Sequence, residues 1–318
     1  MAVPTPAEAA SGALLERRYR LDEVLSEAEG TRLWRGTDTL VGELPVAIRA
    51  WWGLSADQFT ALQQRLERLK AVLHPQIPRL GEQLPADDGC WQVREWINGR
   101  TYQDLLQARH ERQLVFGSGE VLLLLRQLLP ALAALHGQNL VHGDLTPANL
   151  VRRDSDGLPV LIDFGLQAAI AGQPLTAATA GYAPPQARHE PYELWMDLYS
   201  LGVVALVLLS GEEPAALMDP VSLAWRWPEG IALDAAFRQV LERLLSTSPE
   251  QRFNSAAEVA EALAALPVPE STGPVSRSDR TAVLLPQLKP EQQVEASPAP
   301  APARPTRDER RRAKEQAA

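Results

Sequence analysis

The chain has 318 residues, 45% of them apolar, with a formal net charge of −9. That length supports a sizeable core, in two modest domains or in one two-lobed domain with an extra segment. The acidic balance lacks the basic excess that a nucleic-acid-binding surface requires. A lone cysteine, Cys90, excludes an internal disulfide and fits a reducing cytosol.

The first 18 residues, rich in Ala and Pro, read as a flexible leader without the basic start and apolar run of a secretory signal. Short runs with β-formers follow at 19–25, 32–36 and 45–51, separated by Gly30, Gly36 and Gly42. Residues 55–72 carry Phe59, Leu62, Leu66 and Leu69 at helical spacing, with Ser55 as the N-cap and His74-Pro75 as the stop. Two more strands are expected at 79–84 and 90–97, around the turn Ala86-Asp87-Asp88-Gly89. After Gly99 the character changes. A long apolar helix is expected over 119–137 with a kink at Pro130, then loops and short strands over 142–165. A nearly all-apolar helix at 195–210 belongs deep in a core, and amphipathic helices follow at 235–245 and 255–266. The longest strongly apolar stretch, residues 198–209, falls short of the roughly 20 residues that span a bilayer, so no transmembrane segment is expected. From 267 onward Pro, Ala, Ser, Glu and Arg dominate, a composition that cannot offset the entropy of ordering.

The chemistry concentrates in two motifs. Val141-His-Gly-Asp-Leu-Thr-Pro-Ala-Asn-Leu150 places Asn149 five residues after Asp144, and Leu161-Ile-Asp-Phe-Gly165 places Asp163 fourteen after Asn149. An aspartate able to take a hydroxyl proton, followed by two hard oxygen ligands suited to Mg²⁺, is a phosphoryl-transfer pattern. Cys90 reads as a strand-packing thiol. The remaining histidines, His110, His136 and His189, have no metal-ligand spacing.

These motifs resemble those of the eukaryotic-type serine/threonine protein kinases of bacteria, from about Tyr19 to Leu266. Val46-Ala-Ile-Arg49, His74-Pro75, Gly181-Tyr-Ala-Pro-Pro-Gln186, Asp197-Leu-Tyr-Ser-Leu-Gly-Val203 and Ser248-Pro-Glu-Gln-Arg252 add to the resemblance. It implies an α+β, two-lobed protein-kinase-like fold. Residues 1–18 would be the leader, 19–98 a β-rich N-lobe and hinge with one helix, 99–266 a larger helical C-lobe, and 267–318 a disordered tail. It further implies ATP and Mg²⁺ as cofactors, catalytic roles at Asp144 and Arg49, and metal binding at Asn149 and Asp163. Nucleotide contacts would fall at Gly30, Ala47, Glu95, Ile97, Asn149 and Val151, with Arg94 at the gatekeeper position. The implied partner is a protein substrate or regulator, with no nucleic acid, in the cytoplasm. Residues 166–181 would form the activation loop, with Thr176 and Thr179 as phosphoacceptors or the whole segment simply a flexible loop.

The departures from the family pattern are specific. Arg49 stands where the family has the lysine that grips phosphate, and a planar guanidinium is no equivalent of an ammonium. Arg65 falls at the helix glutamate, so the usual Lys–Glu pair becomes two mutually repelling arginines, with Glu67 and Lys70 facing elsewhere. Only Gly30 remains of a glycine-rich loop, and Glu27 and Glu29 would repel phosphate. Gly143 and Thr146 replace an arginine and a lysine, and Gln186 leaves Arg252 a hydrogen bond in place of an ion pair. The first reading is thus weak phosphoryl transfer from Mg-ATP to protein serine or threonine. The alternative is a catalytically inactive pseudokinase scaffold. A third reading, from His142-Gly-Asp144, is a small-molecule phosphotransferase.

Overall fold

The structure is a computed structural model that describes residues 5–165, 181–219, 221–227, 233–267 and 269–276. All of them fall in one compact unit, Met1–Thr281. Thr176, Thr179 and most of the expected tail lie outside the described residues.

The upper lobe is a six-stranded antiparallel sheet. Its strands are β1 (Leu14–Leu15), β2 (Tyr19–Ala28), β3 (Thr31–Asp38), β4 (Leu44–Trp52), β5 (Leu80–Ala86) and β6 (Gly89–Glu95), in the order β1-β2-β3-β4-β6-β5. The β2 and β3 ladder runs to Ala28 opposite Thr31, leaving a two-residue turn. Gly30 closes that turn at φ 71°, a conformation that favours glycine. Alternation along the strands sorts the side chains into two faces. Ile48, Ala50, Trp91 and Val93 join Leu21 and Trp34 in a buried cluster on one face. On the other, the register sets Ala47 opposite Arg94, Arg49 opposite Gln92 and Trp51 opposite Cys90.

Helix α1 (Ala56–Lys70) covers part of that second face. Ser55 and Gln58 form a reciprocal capping box at its start. Leu62 and Leu66 bury against Trp51 and Cys90, each such side chain contributing about 1.5–3 kcal/mol. Cys90 is fully buried, and burial pushes its thiol up to about 11, consistent with packing rather than reactivity.

The lower lobe is mainly helical: α2 (Tyr102–His110), α3 (Ser118–His136), α4 (Leu194–Ser210), α5 (Pro214–Leu217), α6 (Ala235–Leu244) and α7 (Ala256–Ala264). Strand β9 (Leu150–Arg153) lies between β7 (Gly99–Thr101) and β10 (Pro159–Leu161), and β8 (Leu114–Val115) pairs with β11 (Val275–Ser276). Helix α3 runs on through Pro130 and is long and apolar enough to cross a membrane. In this fold it is instead a core helix, with Leu125, Leu128, Leu132 and Leu135 essentially inaccessible. Helix α4 is buried along nearly its whole length, and Gly202 admits close approach of Leu244 from α6. Gly211, left-handed at φ 72°, ends it.

Three expectations change. The leader is not free from residue 5 onward: Ala9 and Leu15 are buried with the upper cluster, because β1 pairs with β2. Helix α2 was not anticipated, although Thr101 and Asp104 form a capping box at its start. The tail does not dissolve at 267: β11 pairs with β8, and Gly117 and Gly119 let the backbone at Ser271 and Gly273 lie against α3.

Candidate active site

The loop carrying Asp144 is fixed from below. Asp197, in the first turn of α4 and fully buried, accepts the main-chain N–H of His142 at 2.7 Å and of Gly143 at 2.9 Å. His136 Nε2 lies 3.0 Å from the same carboxylate. Burial alone would push the Asp197 carboxyl up, but these partners hold it below its ordinary value. His142 is buried as well, its ring 4.9 Å from that of Phe164 and its Nε2 3.1 Å from the Ile162 carbonyl. Burial pushes its imidazole down, against the pull of Asp197 and Asp144.

The two motifs are laced together. Gly165 donates to the His142 carbonyl at 2.8 Å, and Ile162 donates to the Asn149 carbonyl at 2.9 Å. A Cβ on Gly165 would come within 2.9 Å of the Gly143 carbonyl, so the backbones need glycine where they meet. Asn149 Nδ2 donates to both the main-chain oxygen and Oδ2 of Asp144, each at 2.8 Å. Main-chain bonds therefore join the segment that carries Asp163 to the one that carries Asp144 and Asn149.

Above them, the second face of the sheet contributes two cations. Arg94 donates from Nη2 to Asp163 Oδ1 at 2.6 Å, and Arg49 Nη2 lies 2.9 Å from the same oxygen. The guanidinium side chains are 11% and 20% exposed. Asp163 adopts a left-handed φ of 52°. Burial would raise its carboxyl, but Arg94 and Arg49 hold it below the usual carboxylate range. Among the described residues no donor reaches Asp163 Oδ2 or Asn149 Oδ1. Two hard oxygens so left are of the kind that fits Mg²⁺.

Arg65 does not confront Arg49. Its guanidinium donates to the Val141 carbonyl at 2.7 Å, and Arg68 reaches the carbonyls of Gln138 and Asn139 at 2.6 Å. Helix α1 is thereby tied to the segment leading into the loop that carries Asp144. Glu27 is paired with Arg32 at 2.5 Å, which offsets the repulsion expected from it. Gln186 Oε1 and Arg252 Nε are buried without partners among the described residues, so the expected hydrogen bond is not made. Arg252 instead stacks 3.9 Å over Trp195.

Of the expected nucleotide contacts, Ala47, Ile97 and Val151 are buried; Ile97 and Val151 cluster with Val160 against Ile162. Glu95 is exposed at the end of β6, its Oε2 taking the Arg79 N–H at 3.1 Å, and Gly30 lies at the hairpin tip. Sequence reasoning missed the Arg94–Asp163 pair. The available signal was the two-residue alternation that puts Ala47, Arg49 and their cross-strand partners on one face. The role of His136 beside Asp197 left no spacing signal at all.

The comparisons agree with this geometry. The family model described as "Protein kinase domain" matches residues 54–264, more than half of the chain. Serine/threonine-protein kinase B of Synechocystis is 31% identical over 204 residues, covering 60% of this chain and 35% of that protein. Serine/threonine-protein kinase C of Synechocystis is 33% identical over 282 residues, covering 79% and 50%. Serine/threonine-protein kinase PknA of Mycobacterium tuberculosis is 28% identical over 302 residues, covering 86% and 68%. The chain thus spans half or less of the length of the two cyanobacterial relatives. Among solved structures, the M. tuberculosis PknI kinase domain superposes with a TM-score of 0.63 at 23% identity, covering 80% of this chain and 97% of that one. An apo form of PpkA-294 does so at 0.63 and 20% identity, covering 80% and 99%. Both are likenesses of fold. The chain belongs to the protein kinase domain family, with serine/threonine kinases of bacteria among its relatives.

Proposed function

We propose that this domain transfers the γ-phosphoryl group of Mg-ATP to serine or threonine hydroxyls of a protein substrate. The observation that carries the proposal is the Asp144–Asn149 pair, held on a loop whose backbone is pinned by Asp197. In this reading Asp144 receives the proton of the attacking hydroxyl, and the Asn149 amide orients its carboxylate. Asn149 and Asp163 would hold Mg²⁺, which neutralises charge on the phosphates. Ala47, Ile97 and Val151 would line the adenine slot, Glu95 would begin the hinge, and Gly30 would sit above the phosphates. Arg49 would touch phosphate from β4. The buried thiol of Cys90 is consistent with a reducing cytoplasm.

The relatives named above are serine/threonine kinases, which supports transfer over a purely scaffolding role. The protein kinase family match gives no support to a small-molecule phosphotransferase. Radiolabelled phosphate incorporation into the protein itself and into a generic acceptor tests the proposal. Asp144→Ala should lower the rate by about 10²- to 10⁴-fold, the range for losing a general base. Equal incorporation by the parent and this variant would reject it.

A further inference from the structure

Arg94 lies on the sheet directly across from Ala47, and Arg49 lies two residues beyond Ala47 on the same face. Two guanidinium groups side by side repel each other, and here a single carboxylate oxygen, Asp163 Oδ1, holds both. At Asp163 itself, two positive charges meet one negative. A carboxylate exposed beside the phosphate path would by itself repel an anionic ligand, and a divalent metal removes that repulsion. In this protein the repulsion is already removed by the chain's own side chains. Each guanidinium turns one terminal nitrogen to Asp163, and a guanidinium has five N–H donors in a fork suited to phosphate. A dication on Asp163 would also have to sit beside two positive charges.

We infer that Arg94 and Arg49 form a built-in phosphate receptor on Asp163, so that a nucleoside di- or triphosphate binds this cleft without a divalent metal. The inference rests on the nucleotide reading of the cleft proposed above. It assigns Arg94 a role that neither its strand nor the transfer chemistry requires. The metal then serves the chemical step alone, and nucleotide affinity no longer depends on it.

Thermal unfolding of the full chain, with ADP or ATP in either excess Mg²⁺ or EDTA, tests this. A ligand that binds only the native state raises the melting temperature in proportion to its occupancy. The parent protein should show the full shift in EDTA. Arg94→Met should bind on the order of tenfold more weakly in EDTA, as expected for one lost contact to a charged group, and should regain affinity with Mg²⁺. Asp163→Asn, which keeps both cations and removes the negative charge, should bind in EDTA at least as well as the parent. It also carries the test should Arg94→Met fail to fold. A shift in the parent that needs Mg²⁺ overturns the inference and leaves the transfer proposal standing. No shift with or without Mg²⁺ would overturn both.

Discussion

Asp197, fully buried, and Asp163, partly buried, are both carboxylates held below their ordinary range, yet they are neutralised in opposite ways. Asp197 is met by two main-chain N–H groups and a histidine, all within the lower lobe. Asp163 is met by two long side chains that descend from the sheet of the upper lobe. Main-chain donors move only if the loop moves, whereas guanidinium groups swing on rotatable stems. The first carboxylate therefore fixes a loop, and the second makes an adjustable bond between lobes. This difference separates the part of the domain that keeps the family's pattern from the part that departs from it.

The sharpest way to break the contrast is Asp197→Ala. It strands two buried N–H groups, and equilibrium unfolding in urea should show a loss of about 3–5 kcal/mol. The same truncation at Asp163 should cost clearly less, since its partners are part-exposed and can turn to water. Equal costs would erase the distinction. A smaller effect is expected from Gly165→Ala. Its Cβ would press on the Gly143 carbonyl, at a cost of about 1–3 kcal/mol and with a displaced Asp144. The measurement is unfolding together with phosphate incorporation, and loss of incorporation without loss of stability would locate the damage in the loop alone.

The smallest effect concerns pH. Burial holds the His142 imidazole below its ordinary value, while the unfolded chain takes up a proton near pH ~6.5. The stability this contributes is complete above that pH and is lost as pH falls toward the depressed folded value. The slope is at most about 1.4 kcal/mol per pH unit for one proton. Melting temperatures between neutral and mildly acidic pH should fall, and His142→Gln should flatten the trend. An unchanged slope in that variant would assign the titration to another group.

Much of this was legible in the chain itself. Local signals located α1, α3, α4, α6 and α7, because apolar spacing and caps such as Ser55 and Ser255 are properties of short segments. The sites of Asp144, Asn149 and Asp163 were legible because motif spacing encodes the loop that carries them. What stayed hidden depends on contacts between distant segments. Arg94 and Asp163 are 69 residues apart, and Arg65 and Val141 are 76 apart, so no window along the sequence joins them. Repulsion between Arg49 and Arg65 was a sound expectation from charge alone. It failed because each guanidinium found a separate oxygen. The pairing of β11 with β8 was hidden by composition, since a Pro- and Ser-rich segment can still add two residues to an edge when glycines opposite make room.

The bonds from Arg65 and Arg68 to the carbonyls at 138–141 couple two parts that could otherwise shift independently. A force applied to the outer surface of α1, by a neighbouring protein or by a small molecule wedged under the helix, would be transmitted through these two arginines to the segment that leads to Asp144. On the proposed transfer chemistry, such a perturbation would alter turnover before it altered how firmly a nucleotide is held.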